Sequence, residues 1–208
     1  MRLMARGREV RMQRSQTRDK DHDRQILSKS KTDYHRHHAS GPERLLTKKI
    51  LRECQPCTGC CDGWLQIVVE GKPVYPGKPC HHSTGSGCND YANRPTDPCV
   101  HFICGWRMAG SPLPDWMKPS NAKVIVLFNQ TSWRGMPVDV AVPVGRRIPP
   151  RALQWLQQFA ETHQHGLLYS EQLLENGKFS NRQTAHAYGP PEFQQDMARR
   201  MQNGEALW

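Results

Sequence analysis

The stretch CQPCTGCC places four cysteines in eight consecutive residues. Thiolates are the preferred ligands of structural zinc and of iron–sulfur clusters, whereas cysteines used as ordinary small apolar residues have no reason to group together. The 208-residue chain has no cysteine outside the region that this stretch begins. We therefore predict one local metal-binding region built from all eight cysteines: Cys54, Cys57, Cys60, Cys61, Cys80, Cys88, Cys99 and Cys104.

The spacing within the stretch indicates how its sulfurs are shared. Its first three cysteines form two C-x-x-C steps, in which a tight turn lets two thiolates face one metal. Pro56 and Gly59 favour such turns, because proline fixes φ and glycine permits positive φ. Cys60 and Cys61 are adjacent, and adjacent side chains point in different directions. We therefore expect this pair to serve two neighbouring sites, or two sides of one multinuclear cluster.

Eight cysteines are enough for two four-ligand centres, which would be tetrahedral zinc sites or iron–sulfur clusters. Histidines could replace a cysteine, since His81 and His82 directly follow Cys80 and His101 lies two residues after Cys99. For each histidine we favour a solvated role or a supporting role beside the ligands. The expected cofactor is therefore zinc or iron, the latter as ions or as one or two iron–sulfur clusters.

Disulfides and unligated thiols are the alternative uses of these cysteines. The first residues are basic but lack the apolar stretch of a secretion signal, and no apolar run approaches the roughly 18 residues that span a bilayer. We therefore expect a cytosolic protein without a membrane segment, in which thiols stay reduced. A core packed from free cysteines is disfavoured because glycine and proline recur among them.

Residues 1–42 are polar and basic, with almost no apolar periodicity. Residues 1–50 contain 14 lysines and arginines against 6 acidic residues, whereas residues 51–208 contain 15 against 13. Such a composition does not bury enough apolar surface to fold, so we predict a disordered tail over residues 1–42. This tail is either a solvated extension or an arm that contacts nucleic acid or an acidic partner.

The remaining residues predict an α+β fold in two parts. A small, irregular Cys-rich module spans residues 43–119 and begins with a short amphipathic helix, Glu43–Glu53. It contains one strand, Trp64–Val69, which forms a hairpin through a turn at residues 70–73. An α+β part spans residues 120–208 and packs against the module.

The α+β part shows clear strand and helix patterns. Lys123–Phe128 is strand-like, and Val138–Val144 alternates strictly between apolar and other residues. Two prolines at 149 and 150 precede a helix over residues 152–163, with Leu153, Leu156 and Phe159 facing inward. A further strand or hairpin is expected from residue 165, and a last helix follows the prolines at 190 and 191.

The order of the cysteines and their neighbours resembles one family. The run CxxCxxCC is followed by PC at Cys80, by Cys88, by YANRP at residues 91–95 and by CVHFIC at residues 99–104. This order resembles the YkgJ-type cysteine cluster family, whose members are described as zinc- or iron-chelating proteins. The resemblance covers residues 54–106, about a quarter of the chain. Pro98 and Val100 depart from the family's pattern, but neither removes a candidate ligand.

The resemblance implies metal binding without defining a reaction. One relative, flagellin lysine N-methylase, suggests an enzyme that modifies a protein substrate and depends on an iron–sulfur cluster. A nucleic-acid-binding module that combines the basic tail with a structural zinc is a third interpretation. No phosphate loop, nucleophile elbow or zinc-protease motif occurs in the sequence. We therefore expect a bacterial, cytosolic metal-binding protein whose partners are metal ions and whose reaction is undefined.

Overall fold

A computed structural model describes residues 52–208. The predicted tail over residues 1–42 and all but the last two residues of the predicted helix Glu43–Glu53 lie outside the described residues. Helices and strands combine in an α+β fold, as predicted. In chain order the elements are β1 (Ile67–Val69), β2 (Lys72–Val74), a helical turn (Thr96–Val100), a 3-10 turn (Asp115–Met117), α1 (Pro119–Ala122), β3 (Val124–Trp133), β4 (Met136–Pro143), α2 (Pro150–His163), β5 (Gly166–Glu175), β6 (Lys178–Tyr188) and α3 (Pro191–Gln202).

The main sheet contains four strands in the order β3-β4-β5-β6. The outer pairs are antiparallel hairpins, and the central pair, β4 and β5, is parallel because α2 carries the chain back across the sheet. Two-residue turns with positive φ, at residues 134–135 and 176–177, close the hairpins. The hairpin predicted from residue 165 is thus present as β5 and β6.

One long helix covers each face of this sheet. Alternate residues of β3 point to opposite sides, so Val124 and Val126 pack with α2 whereas Ile125 packs with α3. On the α3 side the main contacts are Phe193 and Met197, both almost fully buried. The sheet is therefore buried on both faces, and the alternation predicted over Val138–Val144 divides residues between two apolar layers.

Helix α2 begins at Pro150, where the missing backbone N–H costs nothing because the first turn has no acceptor for it. Leu156 is buried as predicted, whereas Leu153 and Phe159 are only partly buried. The other buried positions are Ala152 and Ala160, whose small side chains let the helix lie close to the sheet. The buried face of α2 therefore begins at Ala152 where Leu153 was predicted, and ends at Ala160 where Phe159 was predicted.

The cysteine-rich residues pack directly on this sheet. The backbone N–H of Gly105 donates to the carbonyl oxygen of Val126 at 2.6 Å. The ring of Trp64 meets that of Phe179 edge-on, with centroids 4.9 Å apart. The predicted hairpin is present as β1 and β2, but residues 70 and 71 alone form its turn, and Lys72 already pairs with Val69. Between residues 52 and 208, no helix has both the length and the apolar character needed to cross a membrane.

Candidate metal centre

One cavity of about 90 Å³ brings the cysteines together. Its other walls are apolar side chains, such as Val69 and Phe102, and the guanidinium groups of Arg94 and Arg107. Sequence positions as far apart as 54 and 104 thus meet at one place in the fold. The cysteines that line the cavity are all eight of the chain: Cys54, Cys57, Cys60, Cys61, Cys80, Cys88, Cys99 and Cys104.

The first group of four cysteines, called the sheet-side quartet, comprises Cys54, Cys57, Cys60 and Cys104. Burial raises the pKa of Cys60 well above its ordinary value, and the charge of Cys104 is the next largest cause. Cys54, Cys57 and then Cys61 raise the pKa of Cys60 further. Cys60 and Cys104 also pack against the apolar layer between the sheet and α3. The four thiols are therefore mutual neighbours beside the main sheet.

The second group, called the hairpin-side quartet, comprises Cys61, Cys80, Cys88 and Cys99. Burial raises the pKa of Cys61 to about 12, and the charges of Cys80, Cys88 and Cys99 are the next causes in order of size. The pKa of Cys99 is raised by burial and then by Cys80 and Cys88. Three of its members, Cys61, Cys80 and Cys99, pack with the β1–β2 hairpin. Cys61 also raises the pKa of Cys60, and Cys54 raises that of Cys61, so the two groups lie next to each other in the cavity.

Tight turns position the sulfurs of the sheet-side quartet. The backbone N–H of Cys57 donates to the carbonyl of Cys54 at 2.9 Å and closes the first C-x-x-C step. The backbone N–H of Arg107 donates to the carbonyl of Cys104 at 2.9 Å, and the backbones of Arg107 and Trp106 lower the pKa of Cys104 against the larger effect of burial. Thiolates with such donors are stabilised in their charged form. These turns favour metal-binding sulfurs at this end of the cavity.

The role predicted for Gly59 is wrong. Its φ is not positive; the positive φ in this region falls at Gly63, with a value of +92°. A β-carbon at position 59 would stand 3.3 Å from Cδ1 of Ile125 and 3.4 Å from Cγ2 of Val144. Glycine at 59 therefore allows the cysteine run to lie close against the sheet.

Cationic side chains stand beside the sheet-side quartet. Burial and Cys57 raise the pKa of Cys54, whereas Arg107, Lys118 and Arg94 lower it, in that order. Arg94 is held by its own YANRP segment, since its guanidinium stacks 4.0 Å from the ring of Tyr91. Positive charges here offset the negative charge that four thiolates carry. Lys118 lies 14 residues beyond the last cysteine, so proximity in sequence gave no sign of its place here.

The distances between sulfurs test which cofactor the cavity fits. Four sulfurs around one zinc ion stand about 3.8 Å apart, given a Zn–S length of about 2.3 Å and tetrahedral geometry. Within residues 52–208, no three cysteine sulfurs all lie within 4.8 Å of one another. In a [4Fe–4S] cluster each cysteine binds a different iron and the ligand sulfurs stand farther apart, whereas each iron of a [2Fe–2S] cluster binds two cysteines. The wider spacing and the all-thiol donor set are both compatible with a [4Fe–4S] cluster.

The histidines near the cysteines take different positions. His82 lines the cavity, whereas His81 and His101 do not. Both His81 and His82 face the carboxylate of Glu70, which stands in the turn of the β1–β2 hairpin. Sequence reasoning did not single out Glu70, and no local signal joins it to two histidines that follow eleven and twelve residues later.

A second polar pair lies away from the cysteines. Asp139 of β4 is 2% exposed and accepts hydrogen bonds from the N–H of Asn129 and from Nδ1 of His165, each at 2.8 Å. His165 joins the end of α2 to the sheet, while His163 contacts the ring of Phe159. The sequence around Asp139 did not indicate that this side chain is buried with His165 as its partner.

Comparison with known proteins adds no name to this geometry. The resemblance carried by the cysteine order therefore stays a prediction, and the fold and site stand on the residues described above. No protein-family model matches the chain, and neither a curated protein nor a solved structure is detectably similar to it.

Proposed function

We propose that this protein binds two iron–sulfur clusters through its eight cysteines, one cluster in each quartet. The observation that carries the proposal is the cavity lined by all eight cysteines, in which no three sulfurs lie within 4.8 Å of one another. Four cysteine ligands per cluster is the usual requirement, and two quartets leave no cysteine unused.

The surroundings of the cavity support this proposal. Apolar walls from Ile67, Val69 and Phe102 limit access of water, and water access is one of the factors that set a cluster's reduction potential. Arg94 and Arg107 supply positive charge beside the thiolates. Residues 54–119 contribute few large buried side chains, so bound clusters would supply folding free energy that this part of the chain otherwise lacks.

The decisive experiment is metal and sulfide analysis of the full chain purified without oxygen, together with its visible spectrum. We expect a brown protein that contains iron and acid-labile sulfide in equal amounts. A colourless protein that contains about two zinc ions per chain would overturn the proposal in favour of two structural zinc sites. Absence of any bound metal after anaerobic reconstitution would reject metal binding altogether.

Single substitutions test the division into quartets. Cys57→Ser removes a ligand from the sheet-side quartet only, and Cys88→Ser removes one from the hairpin-side quartet only. Each variant should retain about half of the iron and sulfide, because the intact quartet keeps its cluster. Full iron content in Cys57→Ser would contradict ligation by Cys57. His101→Asn is the matched control, since His101 lies between two cysteines in sequence but does not line the cavity.

A further inference from the structure

Three side chains outside the quartets converge on one point. Glu70 stands in the β1–β2 turn, and His81 and His82 follow Cys80, whose N–H donates to the carbonyl of Cys61 at 2.7 Å. One ligand atom from each of Glu70, His81 and His82 lies within 4.8 Å of the other two. Nε2 of His81 is 2.9 Å from Oε2 of Glu70, and Nε2 of His82 is 3.5 Å from the same oxygen. No other group of three cysteine, histidine or acidic side chains in residues 52–208 meets this distance.

A neighbouring amide fixes the orientation of His82. Its Nδ1 lies 3.1 Å from Oδ1 of Asn89, and the N–H of Asn89 donates to the carbonyl of His82 at 3.0 Å. This contact holds the imidazole of His82 with Nε2 toward the carboxylate of Glu70, 3.5 Å from Oε2.

The carboxylate of Glu70 therefore faces a ring nitrogen of each histidine. A nitrogen and a carboxylate oxygen 3.5 Å apart attract each other when a positive charge lies between them, and either a proton or a metal ion supplies that charge. Histidines that bind metals commonly donate their second ring N–H to an oxygen acceptor, which is the role that Asn89 has here. The imidazole of His82 is thus already held in the direction that metal binding needs.

We propose that Glu70, His81 and His82 bind one divalent transition metal ion at a site separate from the two quartets. Two imidazoles and one carboxylate suit zinc or ferrous iron, and three protein ligands leave positions open for water or a substrate. The side chains of Glu70, His81 and His82 are 51%, 31% and 22% exposed, so an ion can enter from solvent. Because His82 also lines the cysteine cavity, the ion would lie beside the hairpin-side quartet.

Calorimetric titration of the full chain with Zn²⁺ tests this site, after the cysteines have been loaded and excess metal removed. We expect one further zinc per chain, with the visible spectrum of the loaded cysteines unchanged throughout the titration. Uptake of no further zinc would overturn the inference. This test does not depend on the cofactor in the quartets. A chain that already holds two structural zinc ions would increase its zinc content from two to three ions per chain.

Variants separate the site from general surface binding. Glu70→Gln keeps the shape of an exposed side chain and should weaken binding of the further zinc at least tenfold. Asn89→Ala should weaken it by about 10–100-fold, the usual effect of losing a partner that orients a ligand histidine. His101→Asn should bind as the original chain does. Unchanged affinity in both Glu70→Gln and Asn89→Ala would show that the zinc binds elsewhere.

Discussion

The role of a glycine in the cysteine-rich residues depends on what its Cα faces. Gly59 faces Ile125 of the sheet with ordinary backbone angles, whereas Gly63 combines a φ of +92° with close contact to the backbone of Tyr75. The C-x-x-C pattern predicted a special backbone conformation at the first of these positions. It could not distinguish the two, because the residues that constrain them lie in distant parts of the chain.

Substitution of Gly63 tests this assignment. In Gly63→Ala the added β-carbon would overlap the carbonyl group of Tyr75 and stand 2.6 Å from its Cα. Backbone atoms cannot rotate away, and alanine disfavours positive φ, so we expect a loss of about 3 kcal/mol in the free energy of unfolding. Gly77→Ala is the control: its φ is +91° but no atom lies within 4 Å, so it should lose about 1 kcal/mol. Denaturant titration measures both, and equal losses would contradict the overlap.

At the level of elements, β3 and β4 are joined by a side-chain hydrogen bond as well as by their backbone pairing. The pairing shifts register between Leu127 and Thr131, and Asn129 within this irregular stretch has a φ of +53°. The N–H of Asn129 is satisfied by Asp139 of the neighbouring strand, which also holds His165 after α2. One buried carboxylate therefore ties the irregular strand, the central strand and the end of a helix together.

Replacement of Asp139 should show this connection. In Asp139→Ala the N–H of Asn129 and Nδ1 of His165 both lose their acceptor, and we expect a loss of about 3 kcal/mol in the free energy of unfolding. Asp139→Asn keeps an oxygen that can accept from Asn129, so its loss should be about 1 kcal/mol. Urea unfolding measures the two values. If Asp139→Asn lowers the free energy of unfolding as much as Asp139→Ala does, the negative charge of Asp139, and not its hydrogen bond with Asn129, provides the stability.

The sequence predicted the elements that have a strong local signal. Apolar alternation identified β4, prolines identified the start of α2 and α3, and close spacing identified the cysteines as candidate ligands. It did not predict the parallel pairing of β4 with β5, because strand order depends on contacts between residues far apart in the chain. Lys118 and Glu70 were missed for the same reason: each reaches its site from a separate loop.

At the scale of the whole molecule, the cavity lies between two apolar supports. Cys60 and Cys104 of the sheet-side quartet pack on the core of the four-stranded sheet, whereas Cys61, Cys80 and Cys99 of the hairpin-side quartet pack with Val69 and Val74. Burial on both sides makes ionised thiols unfavourable in the metal-free protein. Metal binding must therefore remove protons that the fold itself helps to retain.

The stability of the metal-free protein should consequently fall at alkaline pH. Burial raises the pKa of Cys61 to about 12, above the ordinary value of 9.0, and the pKa of Cys60 is also raised. A raised pKa in the folded state favours the neutral thiol, so its contribution to stability is complete below about pH 9 and is lost as the pH rises toward 12. Metal-bound thiolates carry no proton to lose, so the loaded protein should lack this transition.

Melting temperatures measured from pH 7 to pH 11 on the metal-free and the loaded protein test this expectation. The metal-free curve should fall above about pH 9, while the loaded curve stays flatter. Burial also raises the pKa of Tyr169, so tyrosine ionisation contributes in both forms, and Cys61→Ser separates the two effects. That variant should lose part of the alkaline fall in the metal-free form. Identical curves for the metal-free, loaded and Cys61→Ser proteins would mean that the thiols of the cavity are not buried together as the structure describes.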